Sequence, residues 1–143
     1  MANIHFKRLH PCAQAPVRAT VGAACFDLKT IEAGDVPAHG AHTFRTGLAF
    51  EVPPGHVMLI YSRSGHGFKH GLRLSNAVGV IDADYRGEVM VRIQNDKAVS
   101  FGFESGDRIA QAMIVPLPAM ELVEVDALSG TERGTGGFGS TGV

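Results

Sequence analysis

Apolar and polar positions alternate with a period of two along much of this chain. From His42 to Val52 (HTFRTGLAFEV), Phe44, Thr46, Leu48, Phe50 and Val52 share one side, while Arg45, Gly47, Ala49 and Glu51 share the other. The same rhythm sets Val89, Val91 and Ile93 against Glu88, Met90, Arg92 and Gln94, and it recurs in Val99, Phe101 and Phe103. Successive side chains of a strand point to opposite faces, so these runs predict half-buried strands. VMLIYS at 57–62 is almost continuously apolar, which predicts a strand covered on both faces.

Turn residues separate the runs: Pro53-Pro54-Gly55, Ser64-Gly65, Tyr85-Arg86-Gly87 and Ser105-Gly106-Asp107. With 18 glycines and 7 prolines in 143 residues, few windows remain for a long helix. The best helical candidate, DRIAQAMIVPL at 107–117, reads equally well as a buried strand. Many short strands between turns predict an all-β sandwich, jelly roll or barrel. The length fits a single domain, assigned to residues 1–131. A Gly-rich segment, 132–143, follows it and is the one shift in composition; no internal repeat is present.

Bulk properties narrow the function by exclusion. A formal net charge of −1 gives no electrostatic case for general nucleic-acid or membrane-surface binding. Cys12 and Cys25 form no CxxC pair, so neither a disulfide framework nor a thiolate zinc site is expected. The N-terminus lacks a long apolar run and no stretch approaches a membrane span, so a cytoplasmic protein is expected. Among the seven histidines, His39/His42 and His66/His70 are the closest pairs; without a third ligand they read as loop histidines. Neither a phosphate-loop nor a dinucleotide fingerprint occurs.

Other stretches carry polar groups where a plain strand would not. In YSRSGHG (61–67), a buried strand breaks into Arg63, Ser64 and Gly65: a forked cation, a hydroxyl and an approachable backbone N–H. Those are parts of a phosphate site, although the three residues alone fit a plain surface turn better. In LSNAVGVIDADYRGEV (74–89), Asp82 follows Val80-Ile81 directly, with Asp84 and Tyr85 just beyond. A carboxylate at the edge of an apolar pocket can orient and deprotonate water, and Asn76 can both donate to and accept from a nucleobase edge. The alternative is a hairpin whose aspartates make turn hydrogen bonds. Arg108 and Gln111 interrupt the apolar run of GDRIAQAMI and need partners, either an internal one such as Asp27 or a ligand phosphate. The final RGTGGFGSTGV sets Arg133, Phe138 and Ser140 among glycines.

In this order, GAACFDL (22–28), RSG (63–65), SNAVGVIDADYRGEV (75–89), GDRIAQ (106–111) and RGTGGFGSTG (133–142) resemble the trimeric dUTP diphosphatase family. One position departs from the family's A-G-x-D-L pattern: Cys25 stands where glycine is expected. The resemblance implies a distorted jelly-roll subunit, a homotrimer with active sites at subunit interfaces, and Mg2+-dependent hydrolysis of dUTP to dUMP and pyrophosphate. That reaction limits uracil incorporation into DNA and supplies dUMP. By the same resemblance, Asp82 activates the attacking water, and Asp27 contacts the water shell of a magnesium ion held mainly by substrate phosphates. Arg63, Ser64, Gly65 and Gln111 hold phosphates; Asn76 and the backbone near Val80 and Ile81 read uracil. Tyr85 packs under the deoxyribose, and Met90 closes the apolar side. The terminal segment becomes a lid in which Phe138 stacks on the base while Arg133 and Ser140 reach phosphates.

Two other readings compete. A dCTP deaminase shares the fold and part of the hairpin motif, but it needs a glutamate on the following strand, where MVRIQN carries Arg92. A non-catalytic nucleotide-binding β-sandwich would be free to lose Asp82 or the tail, and both are present.

Overall fold

The computed structural model describes residues 3–140 and 142. Its strands, in chain order, are β1 (His5–Arg8), β2 (Phe26–Lys29), β3 (Gly34–Val36), β4 (Ala41–Arg45), β5 (Leu48–Glu51) and β6 (His56–Tyr61). A π-helical turn (His66–His70) follows, and then β7 (Leu72–Leu74), β8 (Gly79–Ile81), β9 (Met90–Asn95), β10 (Phe101–Phe103) and β11 (Arg108–Pro116). The fold is all-β, as expected. A four-stranded sheet runs β2-β11-β6-β8 and a three-stranded sheet runs β4-β9-β7, while β1 pairs with β5 and β10 with β3. Every pairing is antiparallel. No helix among the described residues is long and apolar enough to cross a membrane.

One core lies between the sheets. Phe44, Leu48, Phe50, Val52, Met58, Ile60, Val89, Val91, Ile93 and Phe103 are all buried in it. Phe44 meets Phe103 edge to face, with ring centroids 5.2 Å apart; truncating such a ring to alanine typically costs about 3–5 kcal/mol. The buried Asn95 is anchored on every side. Its Nδ2 donates to the carbonyls of Val36 and Val99, and its Oδ1 accepts from the Lys97 N–H.

Burial follows the His42–Val52 alternation only in part, since Gly47 and Ala49 on its expected polar side are buried as well, and the strand is not continuous. Phe44, Thr46, Leu48, Phe50 and Val52 are all buried, yet the chain breaks at Gly47, where φ is +65°. A left-handed backbone is cheap only for glycine, and it sends β4 to pair with β9 while β5 pairs with β1. The break is fastened by Glu88, which accepts from the Gly47 N–H and receives the Arg45 guanidinium. Thr46 Oγ1 donates to the Val89 carbonyl at 2.6 Å. Val99 is a second departure. It lies outside β10 and is exposed, because the turn preceding that strand is held through its carbonyl by Asn95.

β6, read as covered on both faces, is covered only in part: Val57, Met58 and Ile60 are buried, while His56, Leu59 and Tyr61 are partly exposed. β6 sits between β11 and β8, and β11, ambiguous in sequence, is the longest strand at nine residues. The His66–His70 pair, read as loop, instead forms a π-helical turn. It begins at Gly65 and is closed by Gly71, whose φ of +66° and N–H bonds to the Gly67 and His66 carbonyls end the turn. Beyond β11 the chain changes character. Leu117, Met120, Leu122, Val123, Val125 and Leu128 are exposed in an arm that has no strand partner among the described residues.

Candidate functional site

Strands β2, β6 and β11 bring charged groups to one end of the large sheet. Asp27 is on β2, and Gln111 lies opposite it on β11. Arg63 Nε donates to Asp27 Oδ1 at 3.1 Å, and Arg108 Nη1 to Oδ2 at 3.4 Å. The Asp27 side chain is only 15% exposed, so its charge is shielded by guanidinium rather than by water. A part-buried carboxylate needs such partners, since desolvation penalises it otherwise. Of the two partners left open for Arg108, the internal one is realised. Gln111 Nε2 donates to the Ser62 carbonyl, and Ser62 Oγ accepts from the Leu74 N–H. Asp27, Arg63, Arg108 and Gln111 thus form a braced cradle.

Ser64 and Gly65 flank this cradle on the exposed surface. Gly65 has right-handed angles (φ −61°, ψ −39°), so its freedom to turn left is unused. A β-carbon there would meet nothing within 4 Å, so the space beside its Cα is open. Cys25, the departure from the family pattern, is part-buried just before β2. Burial pushes its thiol above the ordinary value; Arg18 opposes the rise and Asp27 adds to it.

A second feature lies across Leu74. A groove of about 270 Å³ is lined by Thr43, Ile60, Leu74, Ser75, Asn76, Gly79, Met90, Val91 and Arg92. Leu74 also lines the small cavity beside Ser62 and Arg63, so cradle and groove adjoin. The groove floor is tight at Gly79, where a β-carbon would come within 3.1 Å of the Ile60 side chain. Ala77, at its lip, holds a φ of +60°. A left-handed non-glycine residue stores strain, and such strain gathers at ligand sites. Met90 is 56% exposed and ready to be covered. The Asn76 amide has no hydrogen-bond partner among the described residues.

Asp82 follows β8 without a break, as the sequence required, but does not line the groove. Its backbone carbonyl accepts from the Tyr85 N–H. Neither its carboxylate nor that of Asp84 has a partner among the described residues, so the hairpin does not depend on them for its turn. Val80 and Ile81 sit on β8, opposite Leu59 and Met58 of β6, with Val80 facing out. Tyr85 Oη donates to the Glu88 carbonyl, and its ring lies so close over Gly87 that a β-carbon there would collide with it.

The tail joins neither feature within this chain. Arg133 Nε donates to the Gly136 carbonyl, the Ser140 N–H bonds to Gly137, and Phe138 is fully exposed with φ +48°. Thr141 and Val143 of that segment lie outside the described residues. Sequence reading missed Ser62, Gly87 and His66 as parts of this region. The only signal for His66 was its spacing of three from Arg63.

Fold and geometry define a class: an all-β protein with a preformed carboxylate–guanidinium cluster beside a partly apolar groove. The chain belongs to the dUTPase family, whose model matches residues 12–142. The deoxyuridine 5'-triphosphate nucleotidohydrolase of Wolinella succinogenes is 45% identical over 98% of this chain and 94% of its own length. That of Caulobacter vibrioides is 46% identical over 98% and 94%. Among solved structures, a mutant dUTPase of Staphylococcus bacteriophage 80alpha with dUpNHpp covers 100% of both chains at a TM-score of 0.92 and 30% identity. A mutant dUTPase of S. aureus phage phi11, described as coordinating a structural Mg(II) ion, has a TM-score of 0.82 at 25% identity. It covers 88% of this chain and 98% of that one.

Proposed function

We propose that this chain hydrolyses dUTP to dUMP and pyrophosphate by in-line attack of a water molecule on the α-phosphorus. Asp82 orients that water and takes its proton as the new P–O bond forms; the bond to the bridging oxygen breaks and pyrophosphate leaves. The observation that carries the reading is the cradle of Asp27, Arg63, Arg108 and Gln111 next to the groove, in a chain of this family. Positioning and cationic stabilisation supply most of the rate in phosphoryl transfer, so a pre-braced pair of arginines suits the task. The unpartnered carboxylate of Asp82 suits a base held ready for water.

Arg63, Ser64, Gly65 and Gln111 take the phosphates. Asn76, with the backbone of Val80 and Ile81, reads uracil in a groove too narrow for a methyl group, and Met90 closes the apolar side. Tyr85 supports the deoxyribose and rejects a 2′-hydroxyl, which would lie unpaired against its ring. Residues 132–143 act as a lid on the 1–131 domain: Phe138 stacks on the base, while Arg133 and Ser140 engage phosphates.

The donor set fits magnesium carried by the substrate rather than by the protein. No group of three His, Cys, Asp or Glu side chains among the described residues is arranged to hold a metal. Both Asp27 oxygens already accept from guanidinium groups, which suits contact with waters of a hydrated ion. The ion's chemistry, when present, is to offset the triphosphate charge.

The active unit is a homotrimer. A long apolar arm exposed on a lone chain, and a tail distant from its own groove in bonding terms, both support completion of each site by another copy. A deaminase is disfavoured because β9 carries no carboxylate: its central Arg92 donates to Thr43 Oγ1 across the sheet. Pyrophosphate release from dUTP, dCTP, dTTP and UTP, assayed in parallel, tests the reading. Turnover should be confined largely to dUTP; comparable turnover of dCTP, or none of dUTP, would sink it.

A further inference from the structure

His66 has no role in the reaction just described, yet it occupies the most constrained polar position near the cradle. Its ring is half-buried against Phe103, Phe101 and His70, at centroid distances of 5.2, 6.1 and 6.5 Å. Nε2 lies 2.8 Å from the Arg108 carbonyl and 3.2 Å from Arg63 Nη1. Nδ1 is sealed from solvent and is the buried side-chain polar atom without a partner among the described residues.

These contacts fix the tautomer. One ring nitrogen cannot donate to a carbonyl and accept from a guanidinium at once. A proton on Nδ1 would bury an unpartnered N–H and set the Nε2 lone pair against the Arg108 oxygen at 2.8 Å. A proton on Nε2 donates to that carbonyl and leaves only an unpaired acceptor, the smaller penalty. The Arg108 carbonyl lies where the β2–β11 register shifts between Arg108 and Ala110, so the ladder is interrupted beside it. The imidazole therefore spans from the turn after Arg63 to the start of the strand that carries Arg108.

We propose that His66 is a positioning residue for the phosphate cradle: its neutral ring, donating through Nε2–H to the Arg108 carbonyl, ties the turn that carries Arg63 to β11 and so fixes where the Arg63 guanidinium meets Asp27. This rests on the dUTP reading and deepens it. Protonation undoes the arrangement. It adds a charge 3.2 Å from Arg63 and a donor at Nδ1 with no acceptor. Burial holds the pKa below the ordinary 6.5; the Arg108 carbonyl opposes this, Arg63 and His70 reinforce it, and Asp107 is the one facing carboxylate that offsets them. The Arg108 side chain is turned to Asp27. A lowered pKa means the braced state is intact above the ordinary histidine range and is lost as pH falls below it.

Steady-state kinetics of the full chain, His66→Leu and His66→Gln between about pH 5.5 and 8 test this. The leucine variant should raise KM for dUTP about tenfold with kcat changed less than about threefold. Glutamine, whose amide can still donate to the Arg108 carbonyl, should recover most of the loss. The wild-type KM should climb on acidification, and that of His66→Gln should not. Thermal melts separate misfolding from mispositioning; if the leucine variant does not fold, the glutamine variant and the acid limb decide. A leucine variant with KM within about twofold of wild type, or an acid rise that persists in His66→Gln, overturns the inference. If the wild type fails to turn over dUTP, the functional reading has failed instead. Calorimetric binding of inorganic pyrophosphate then reads the cradle alone: weakened in the leucine variant it supports the inference, unchanged it overturns it.

Discussion

The cradle and the tail are built on opposite terms. In the cradle the charged groups are already paired, Asp27 with Arg63 and Arg108, and the neutral ones are bonded as well, Gln111 to the Ser62 carbonyl and Ser62 to the Leu74 N–H. In the tail Arg133 and Ser140 bond only to residues within a few positions, and Phe138 touches nothing large. The first arrangement meets its ordering cost during folding; the second defers it until a ligand or another copy arrives. On the proposed reading, phosphates, common to every nucleotide, would meet a fixed site. The parts assigned to base stacking and closure stay unassembled in the single chain.

Two substitutions and one truncation can break or sharpen that contrast. The largest effect should come from Asp82→Asn, which removes the water-activating charge from an otherwise unengaged side chain. Turnover should fall by about 10²–10⁴ with dUTP affinity nearly kept, measured by single-turnover kinetics and equilibrium binding; near-wild-type turnover rejects Asp82 as the base. Next, removing residues 132–143 should leave the melting temperature unchanged while lowering kcat/KM by roughly 10–100-fold, a loss of closure rather than of fold. Activity that survives truncation would make the tail a mere end. The smallest effect belongs to Gly87→Ala, which pushes the Tyr85 ring off its seat. Preference for dUTP over UTP should weaken several-fold, roughly the cost of a misplaced contact at one sugar atom, with dUTP turnover itself much less affected. Unchanged discrimination would remove Tyr85 from the sugar site.

Much of the fold was legible because the period-two pattern depends only on which face is dry. Phe44 through Val52 is the instructive stretch: all five apolar-face positions are buried, yet the break at Gly47 is invisible to the pattern, since a left-handed glycine between two correct faces leaves the alternation intact. β11 was ambiguous for a related reason. Its residues are apolar on both sides over most of its length, so no polar side reveals its period, although only Ile109, Ala110 and Ala112 are buried. Of the site, Arg108 and Gln111 stood out as polar residues in an apolar run and Arg63 at the break of another; Asp27 was one of two partners left open for Arg108, while its bond with Arg63 had no signal in the sequence. His66 did not stand out. Its importance depends on a π-helical turn and on Phe101 and Phe103, which lie about 35 residues away in the chain and reach it only after folding.

The exposed arm from Leu117 to Leu128 has a consequence for heredity. On the trimeric reading, arm and receiving surface are encoded by one gene, so one codon change alters every copy of that contact at once. A change that weakens the fit is repeated around the ring, and a compensating change elsewhere in the same chain is repeated as well. Drift at this surface should then proceed by paired substitutions between arm and receptor, while the cradle, closed within one chain, is free of that bookkeeping.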